Sequence, residues 1–177
     1  SDCQGGSTFT GIYEEVYQGT ISLPQHCTDY VLSVSECCRS GAISNLSMPS
    51  SSFALQSQLN NGVVNFNNAA IFNSQPSFYL SAGQTYYLDF SATDIDGDSL
   101  VYTMVQPKDG PNAVVPYAAG FSVNNPLSTN NTFTFSSQTG QMFFVPQQAQ
   151  VGVITIRVDE YRNGVLIGST MRDIQVV

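Results

Sequence analysis

Three carboxylates that could bind a metal ion lie close together at Asp94, Asp96 and Asp98, within residues 94–99 (DIDGDS). Like charges at this spacing repel one another unless a cation neutralises them, and the loop itself contains no lysine or arginine. Ca²⁺ accepts about six to eight oxygen ligands in flexible geometry. The alternating acids therefore predict a calcium site, of the weak kind found in extracellular modules. The alternative is a polar turn between two strands, because Asp and Gly also suit turn geometry.

The order of residues in this acidic loop distinguishes it from an EF-hand. An EF-hand places its glycine after the third acidic position and a glutamate at the twelfth position. Here Gly97 precedes the third acid, and the twelfth position is Val105. The loop is thus expected to be a different kind of calcium site, followed directly by a strand-like run over residues 100–105.

The four cysteines, Cys3, Cys27, Cys37 and Cys38, all lie in the first quarter of the 177 residues. They include no Cys-x-x-Cys pair, and the single histidine, His26, makes a structural zinc site improbable. An even number of cysteines in a polar chain favours two disulfides and an oxidising compartment. Since a bond between adjacent cysteines strains the backbone, we favour Cys3 and Cys27 each pairing with one of the other two. The alternative is that they are free buried thiols.

The overall composition excludes several classes of function. Only 10% of the residues are charged and the net charge is −8. Binding to nucleic acid or to an anionic membrane surface needs clustered Lys and Arg, so neither partner is expected. The sequence also contains no apolar run of about 20 residues, the length that membrane insertion of a helix needs.

The hydrophobic pattern predicts an all-β protein. Apolar residues recur with period two in several short runs, around residues 53–59, 86–90 and 154–158, and helical periodicity is nearly absent. Asn-Gly and Thr-Gly turns separate the runs. The strongest hairpin signal joins residues 153–161 to residues 165–177 through Asn163-Gly164. Many short strands with regular turns indicate an antiparallel sandwich of the immunoglobulin type.

A change in composition near residue 73 suggests two modules. Residues 74–177 contain about seven predicted strands, which suits an immunoglobulin-like sandwich. Residues 1–73 are rich in Cys and Ser and look too thin for an independent core, so we expect a smaller β module stapled by disulfides. The alternative is that these residues form part of a sandwich.

Several segments resemble a known group of proteins. Residues 91–102 (SATDIDGDSLVY) and 135–142 (FSSQTGQM) resemble bacterial cadherin-like and PKD-like sandwich repeats. Residues 156–169 (IRVDEYRNGVLIGS), 19–24 (GTISLP) and 35–39 (SECCR) resemble long Bacteroidota cell-surface proteins. These are described as gliding-motility-associated and as exported by type IX secretion. The resemblance implies a cadherin-like fold and a large, modular, extracellular protein that acts in adhesion or as a surface filament.

The resemblance also implies a fuller calcium site. In such domains the acidic loop lies near the base of the final strand pair, so Asp159 or Glu160 is expected to complete the ligands of Asp94, Asp96 and Asp98. If the isoleucines of the final strands face the core, Asp159 points outward and Glu160 inward. A buried glutamate is costly unless it is paired or bound to metal. Pairing of Glu160 with Arg172 across the hairpin is the alternative.

These observations favour a non-enzymatic structural or adhesive module at the cell surface. His26 has no nucleophile or acid–base partner near it in sequence, which argues against an enzyme. The expected partners are neighbouring domains of the same chain, surface polysaccharide or other surface proteins. A carbohydrate-binding module of a secreted multidomain protein is the alternative. Its candidate aromatic residues, although tryptophan is absent, are Tyr13, Tyr17, Tyr86, Tyr87 and Tyr117.

Overall fold

The structure, a computed structural model, describes residues 14–75 and 79–177. In these residues all regular structure is β-strand and all strand pairs are antiparallel, which confirms the predicted all-β class. This part of the chain has no helix long and apolar enough to cross a membrane. The strands are β1 (Tyr30–Glu36), β2 (Phe53–Leu59), β3 (Ile71–Phe72), β4 (Tyr86–Asp89), β5 (Ala92–Thr93), β6 (Ser99–Met104), β7 (Lys108–Gly110), β8 (Ala113–Val114), β9 (Thr134–Phe135), β10 (Gln141–Phe144), β11 (Gly152–Arg162) and β12 (Val165–Val176).

The strands form one large and two small sheets. The large sheet has the order β6-β11-β12-β2-β7-β8, and β1 pairs with β2 along seven residues. A three-stranded sheet has the order β4-β10-β9, and β3 pairs with β5. The long strands β11 and β12 form the hairpin predicted from the Asn163-Gly164 turn. Both turn residues have positive φ, 54° and 79°, which Asn and Gly tolerate best.

The main core contains side chains from both the large and the three-stranded sheet. Alternate residues of β11, Ile154 and Ile156, are fully buried together with Met142 and Phe144 of β10. Ile174 of β12 belongs to the same cluster. The period-two pattern of the sequence therefore identified the residues of β11 that face this core.

The opposite face of β11 is covered as well, by a segment that precedes β2. Ile43 and Leu46 form a second buried cluster with Val115 and with Val153 of β11. Strand β11 is thus buried on both faces over most of its length, which explains why Val153, Thr155 and the residues between are shielded from solvent.

Among residues 14–75 and 79–177, strands from both sides of residue 73 share the large sheet. Strand β2 pairs with both β12 and β7, and Ile43 packs with Val153. The division into residues 1–73 and 74–177 stays a prediction. A sequence pattern reveals each strand but not its hydrogen-bonded neighbour, so the shared sheet was not foreseen.

The cysteine pairing differs from the one that we favoured. Cys37 and Cys38 are bonded to each other, and Cys27 is a free thiol whose Sγ lies 2.9 Å from Oδ1 of Asp29. Strand β1 separates Cys27 from Cys37, and seven extended residues span about 23 Å. A disulfide needs Cα atoms within about 7 Å, so this strand prevents the expected bond. Cys3 lies outside the described residues.

Candidate functional site

The acidic loop is a tight turn between β5 and β6. Oδ1 of Asp94 accepts the backbone N–H groups of Asp96 and Asp98, at 2.9 and 3.0 Å. Gly97 has a φ of 81°, which a side chain would strain. This geometry brings one carboxylate oxygen of each aspartate within 4.8 Å of the others. The three predicted ligands therefore converge on one point, as a bound cation requires.

Arg162, at the end of β11, is a cationic partner of this loop that sequence reasoning missed. Its Nε and Nη2 atoms each lie 2.7 Å from an oxygen of Asp98, a bidentate pair, and Nη2 lies 3.1 Å from Asp96. Nη1 donates to the carbonyl of Phe66, whose ring lies under the guanidinium at 5.4 Å. The hydrogen bond and charge of Asp98 raise the pKa of Arg162, so this group stays cationic.

The segment between β2 and β3 also contacts the loop. The backbone N–H and the side-chain amide of Asn68 donate to the two oxygens of Asp96, at 2.8 and 2.9 Å. These two bonds, with a smaller contribution from Arg162, lower the pKa of the Asp96 carboxyl. Asp96 is therefore held as a carboxylate by neutral donors as well as by charge.

Asp94 is the aspartate that lacks a partner for one oxygen. Its Oδ2 atom is buried and has no hydrogen bond, whereas Asp96 and Asp98 share Arg162. Of the three carboxylates, Asp96 and Asp98 therefore contact the Arg162 guanidinium, and Asp94 does not pair with it. Because a buried unpaired carboxylate oxygen is costly, Asp94 Oδ2 is the atom best placed to bind an added cation.

Glu160 points into the protein, as the strand parity predicted. It is fully buried, and its two oxygens accept the backbone N–H of Ala70 at 2.8 Å and Nδ2 of Asn67 at 2.6 Å. Burial, and the nearby Asp94 and Asp98, raise the pKa of its carboxyl. Its cross-strand neighbour is Gly168, where a Cβ atom would lie 2.6 Å from Glu160 Oε2.

The structure does not bring either of the two expected additional ligands into the cation group. Glu160 is occupied by its two donors, and Asp159 lies on the other face of β11, where Arg157 Nη2 donates to it at 2.9 Å. The alternative partner for Glu160 was also wrong. Arg172 lies opposite Ile156 and donates to the carbonyl of Ser74, with its guanidinium 4.2 Å from the centre of the Phe72 ring.

The candidate aromatic residues for sugar binding have different surroundings. Tyr87 of β4 is 79% exposed and its ring centre lies 5.0 Å from that of Phe143. Tyr86 is half-buried against Phe144, and its hydroxyl accepts the N–H of Ser81. Tyr17 is also exposed, and Tyr13 lies outside the described residues.

Tyr117 and His26 were also singled out in the sequence, and they have different surroundings. Tyr117 is half-buried, and its hydroxyl is buried without a hydrogen-bond partner. Burial raises its pKa. His26 is exposed and its Nδ1 atom lies 2.7 Å from the carbonyl oxygen of Asn61.

Comparison of the chain with protein-family models, with curated proteins and with solved structures gave no match. The similarity of its motifs to Bacteroidota surface proteins therefore stays a prediction, and the functional argument depends on the residues themselves.

Proposed function

We propose that the protein is a non-enzymatic structural or adhesive module of a large extracellular surface protein, folded as an immunoglobulin- or cadherin-like sandwich. One observation carries this proposal: several buried polar side chains join segments that are far apart in the sequence. Asn45 bridges to Val153, Asn60 to Leu166 and Glu160 to Ala70. Such cross-links stabilise the fold, which suits a module with a structural role.

The ion pair between Arg39 and Asp173 is the clearest case. The side chains are 4% and 3% exposed, and two parallel hydrogen bonds of 2.7 and 2.9 Å join residues 134 positions apart. Arg39 also donates to the carbonyl of Lys108, and Thr155 donates to Asp173. The pair thus connects the segment before β2 to β7, β11 and β12. Removing one partner of a buried ion pair typically lowers the free energy of unfolding by about 3–5 kcal/mol.

An extracellular location is supported by composition and cysteine chemistry. The adjacent cysteines are bonded, which suits an oxidising compartment, and the chain has few charged residues. The motifs that resemble type IX-secreted gliding-motility proteins favour the same location. We therefore place the protein on a cell surface as one module among neighbouring domains.

The location can be tested on intact cells of the source organism. An antibody against the purified chain should label unpermeabilised cells. Brief protease treatment of those cells should remove the signal while an internal marker survives. On a denaturing gel the antibody should detect a band far larger than the 19.1 kDa of this chain. Labelling that appears only after permeabilisation would contradict the proposal.

A structural calcium ion is part of this proposal, bound by Asp94, Asp96 and Asp98. Two observations support it: oxygens of all three residues lie within 4.8 Å, and Asp94 Oδ2 has no partner. Arg162 already pairs with two of the acids, so an ion would have to share them or displace the guanidinium. This competition favours a weak site, with a Kd of about 10⁻⁴ M as in extracellular modules.

The alternative function is a carbohydrate-binding module of a secreted multidomain protein. The contact between exposed Tyr87 and half-buried Phe143 on the outer face of the three-stranded sheet favours it, because an aromatic pair at the surface offers apolar ring area to a sugar. Sugar binding is also compatible with an adhesive module, since surface polysaccharide is one of its expected partners.

A further inference from the structure

The outer face of the three-stranded sheet presents two parallel rows of side chains. Cross-strand pairing places Tyr87 opposite Phe143, and Phe143 opposite Thr134. Two residues away along the strands, Asp89 lies opposite Gln141. Since side chains of a strand alternate between faces, both rows lie on one surface, roughly 7 Å apart. An aromatic row and a polar row are therefore side by side.

The aromatic row is held in place by the core beneath it. Met142 and Phe144, which flank Phe143 in β10, are 1% and 0% exposed and pack in the main core. Tyr87 nevertheless leaves 79% of its surface exposed, and its ring meets Phe143 at 48°. The pair thus presents one exposed and one half-buried ring on a strand that the core anchors, and an aromatic side chain has few rotatable bonds to order when a ligand covers it.

The polar row supplies hydrogen-bonding groups next to these rings. Asp89 and Gln141 are both exposed, and Ser136 continues the row through its backbone N–H bond to the carbonyl of Gln141. Together with the rings they line a groove of about 380 Å³. A carboxylate, an amide and a hydroxyl can each bond to the hydroxyl groups of a ligand.

The charge of the groove excludes anionic ligands. The residues that line it include Asp89 and no lysine or arginine. A phosphate or carboxylate would meet a negative charge with nothing to balance it, and the chain itself carries a net charge of −8. A nucleic acid, which also stacks on aromatic rings, is disfavoured for this reason.

The size of the groove argues against a protein partner. Nine residues line it, whereas a stable protein interface uses about 20–30 residues on each side. A charged Asp89 beside the rings is also unlike the centre of such interfaces, from which acidic residues are depleted. A narrow, uncharged ligand that offers both C–H faces and hydroxyl groups fits the two rows better.

We propose that this groove binds an uncharged polysaccharide, with a sugar ring stacked on Tyr87 and Phe143 and its hydroxyl groups bonded to Asp89 and Gln141. The inference depends on the adhesive form of the proposed function and identifies the ligand class and the surface that binds it. The polysaccharide is held without any covalent change, so the site tethers a surface rather than processes it.

The test is affinity electrophoresis of the purified chain in gels that contain one soluble polysaccharide each. The uncharged probes are a mixed-linkage β-glucan, a galactomannan, an arabinoxylan and a soluble α-glucan, and polygalacturonate is the anionic probe. At least one uncharged probe should retard the chain, and polygalacturonate should not. The affinity for the positive probe is then measured by calorimetry.

Three variants separate stacking from other effects. Tyr87→Ala should weaken binding by about tenfold or more, the scale of stacking on one aromatic ring. Tyr87→Phe keeps the ring and should bind within about twofold of the original chain. Ile71→Ala, an exposed apolar residue outside the groove (73% exposed), is the matched control and should change nothing. Thermal melts of all three should match the original chain.

The inference is overturned if no uncharged probe retards the chain, if polygalacturonate alone does so, or if Tyr87→Ala binds as tightly as the original. Such a result would leave surface labelling of intact cells unaffected, so this failure is distinguishable from failure of the proposed location. Conversely, sugar binding by a protein that never reaches the surface would contradict the proposed function only.

Discussion

Replacing Asn45 tests whether the segment before β2 is an integral part of the fold. Asn45 is fully buried and its side chain makes three hydrogen bonds. Nδ2 donates to the carbonyls of Pro126 and Val153, at 2.7 and 2.9 Å, and Oδ1 accepts the N–H of Val153 at 2.9 Å. The Asn45 side chain thus bonds the backbone of β11 in the way that a neighbouring strand would.

This role arises because β6 ends too early to pair with the whole of β11. The last bond on that edge joins the N–H of Val105 to the carbonyl of Thr155. The N–H and carbonyl of Val153, two residues before Thr155, lie on the same edge of β11, and both bond to the Asn45 side chain. Asn45→Ala removes that partner and leaves three buried backbone groups with unmade bonds.

The cost follows from those three groups. Each buried polar group without a partner costs about 1–3 kcal/mol, so the lower end of the sum is about 3 kcal/mol. A domain of this size is stable by roughly 9–27 kcal/mol on per-residue averages, and its melting temperature falls by about 2–4 °C for each kcal/mol lost. We expect Asn45→Ala to melt about 6–12 °C lower than the original chain, in one cooperative transition.

Differential scanning calorimetry measures both the shift and the number of transitions. The matched control is Asn112→Ala, at an exposed loop position, which should change stability by less than about 0.5 kcal/mol. A loss below about 1 kcal/mol for Asn45→Ala would refute the hydrogen-bond reasoning. Two separate transitions, with only the first lowered, would instead favour independent modules on either side of residue 73.

Three further predictions concern individual side chains. Tyr117→Phe removes a buried hydroxyl that has no partner, so stability should rise by up to about 1 kcal/mol. The pKa of Tyr117 is raised in the folded state, so the unfolded chain ionises this tyrosine first and the folded state loses stability as the pH rises above 10. Phenylalanine does not ionise, so the variant should lose less stability than the original chain in alkaline melts. Gly168→Ala places a Cβ atom against Glu160 and should cost about 1–3 kcal/mol, whereas Gly110→Ala, with open space around it, should not. Without reductant, alkylation should label Cys27 and leave the bonded adjacent pair unlabelled by peptide mass mapping.

Local patterns predicted the strands and the direction of their side chains. Period-two alternation identified the residues of β11 that face the main core and placed Glu160 inward, but it did not predict that Thr155 and Asp159 on the other face are buried as well. The Asn163-Gly164 dipeptide identified the hairpin turn, since both residues accept positive φ. These features depend on neighbours within a few positions, so the sequence contains them directly.

Features that depend on strand order were not predictable in this way. Arg162 reaches the acidic loop because β11 pairs with β6, which places Tyr161 opposite Ser99. Tyr87 meets Phe143 only because β4 pairs with β10 across more than 50 residues. The same period-two alternation is compatible with many strand orders, so it does not predict which strands pair. The cation partner and the aromatic row therefore became visible only in the folded chain.

We propose that the acidic loop of this surface module holds calcium, and a thermal melt is the most direct test. With a Kd of about 10⁻⁴ M, 1 mM Ca²⁺ stabilises the fold by about 1.4 kcal/mol. For this chain length the melting temperature should then rise by about 3–6 °C over that in chelator. Asp96→Asn should reduce the rise, and Glu14→Gln, at an exposed position far along the chain, should leave it unchanged.

Arg162→Gln makes the measurement decisive, because it removes the guanidinium that competes for Asp96 and Asp98. In chelator this variant should melt below the original chain, and calcium should raise its melting temperature by more than it raises that of the original. If the original chain and Arg162→Gln each melt at the same temperature with calcium and with chelator, the loop is an ion-paired turn and the calcium claim is wrong.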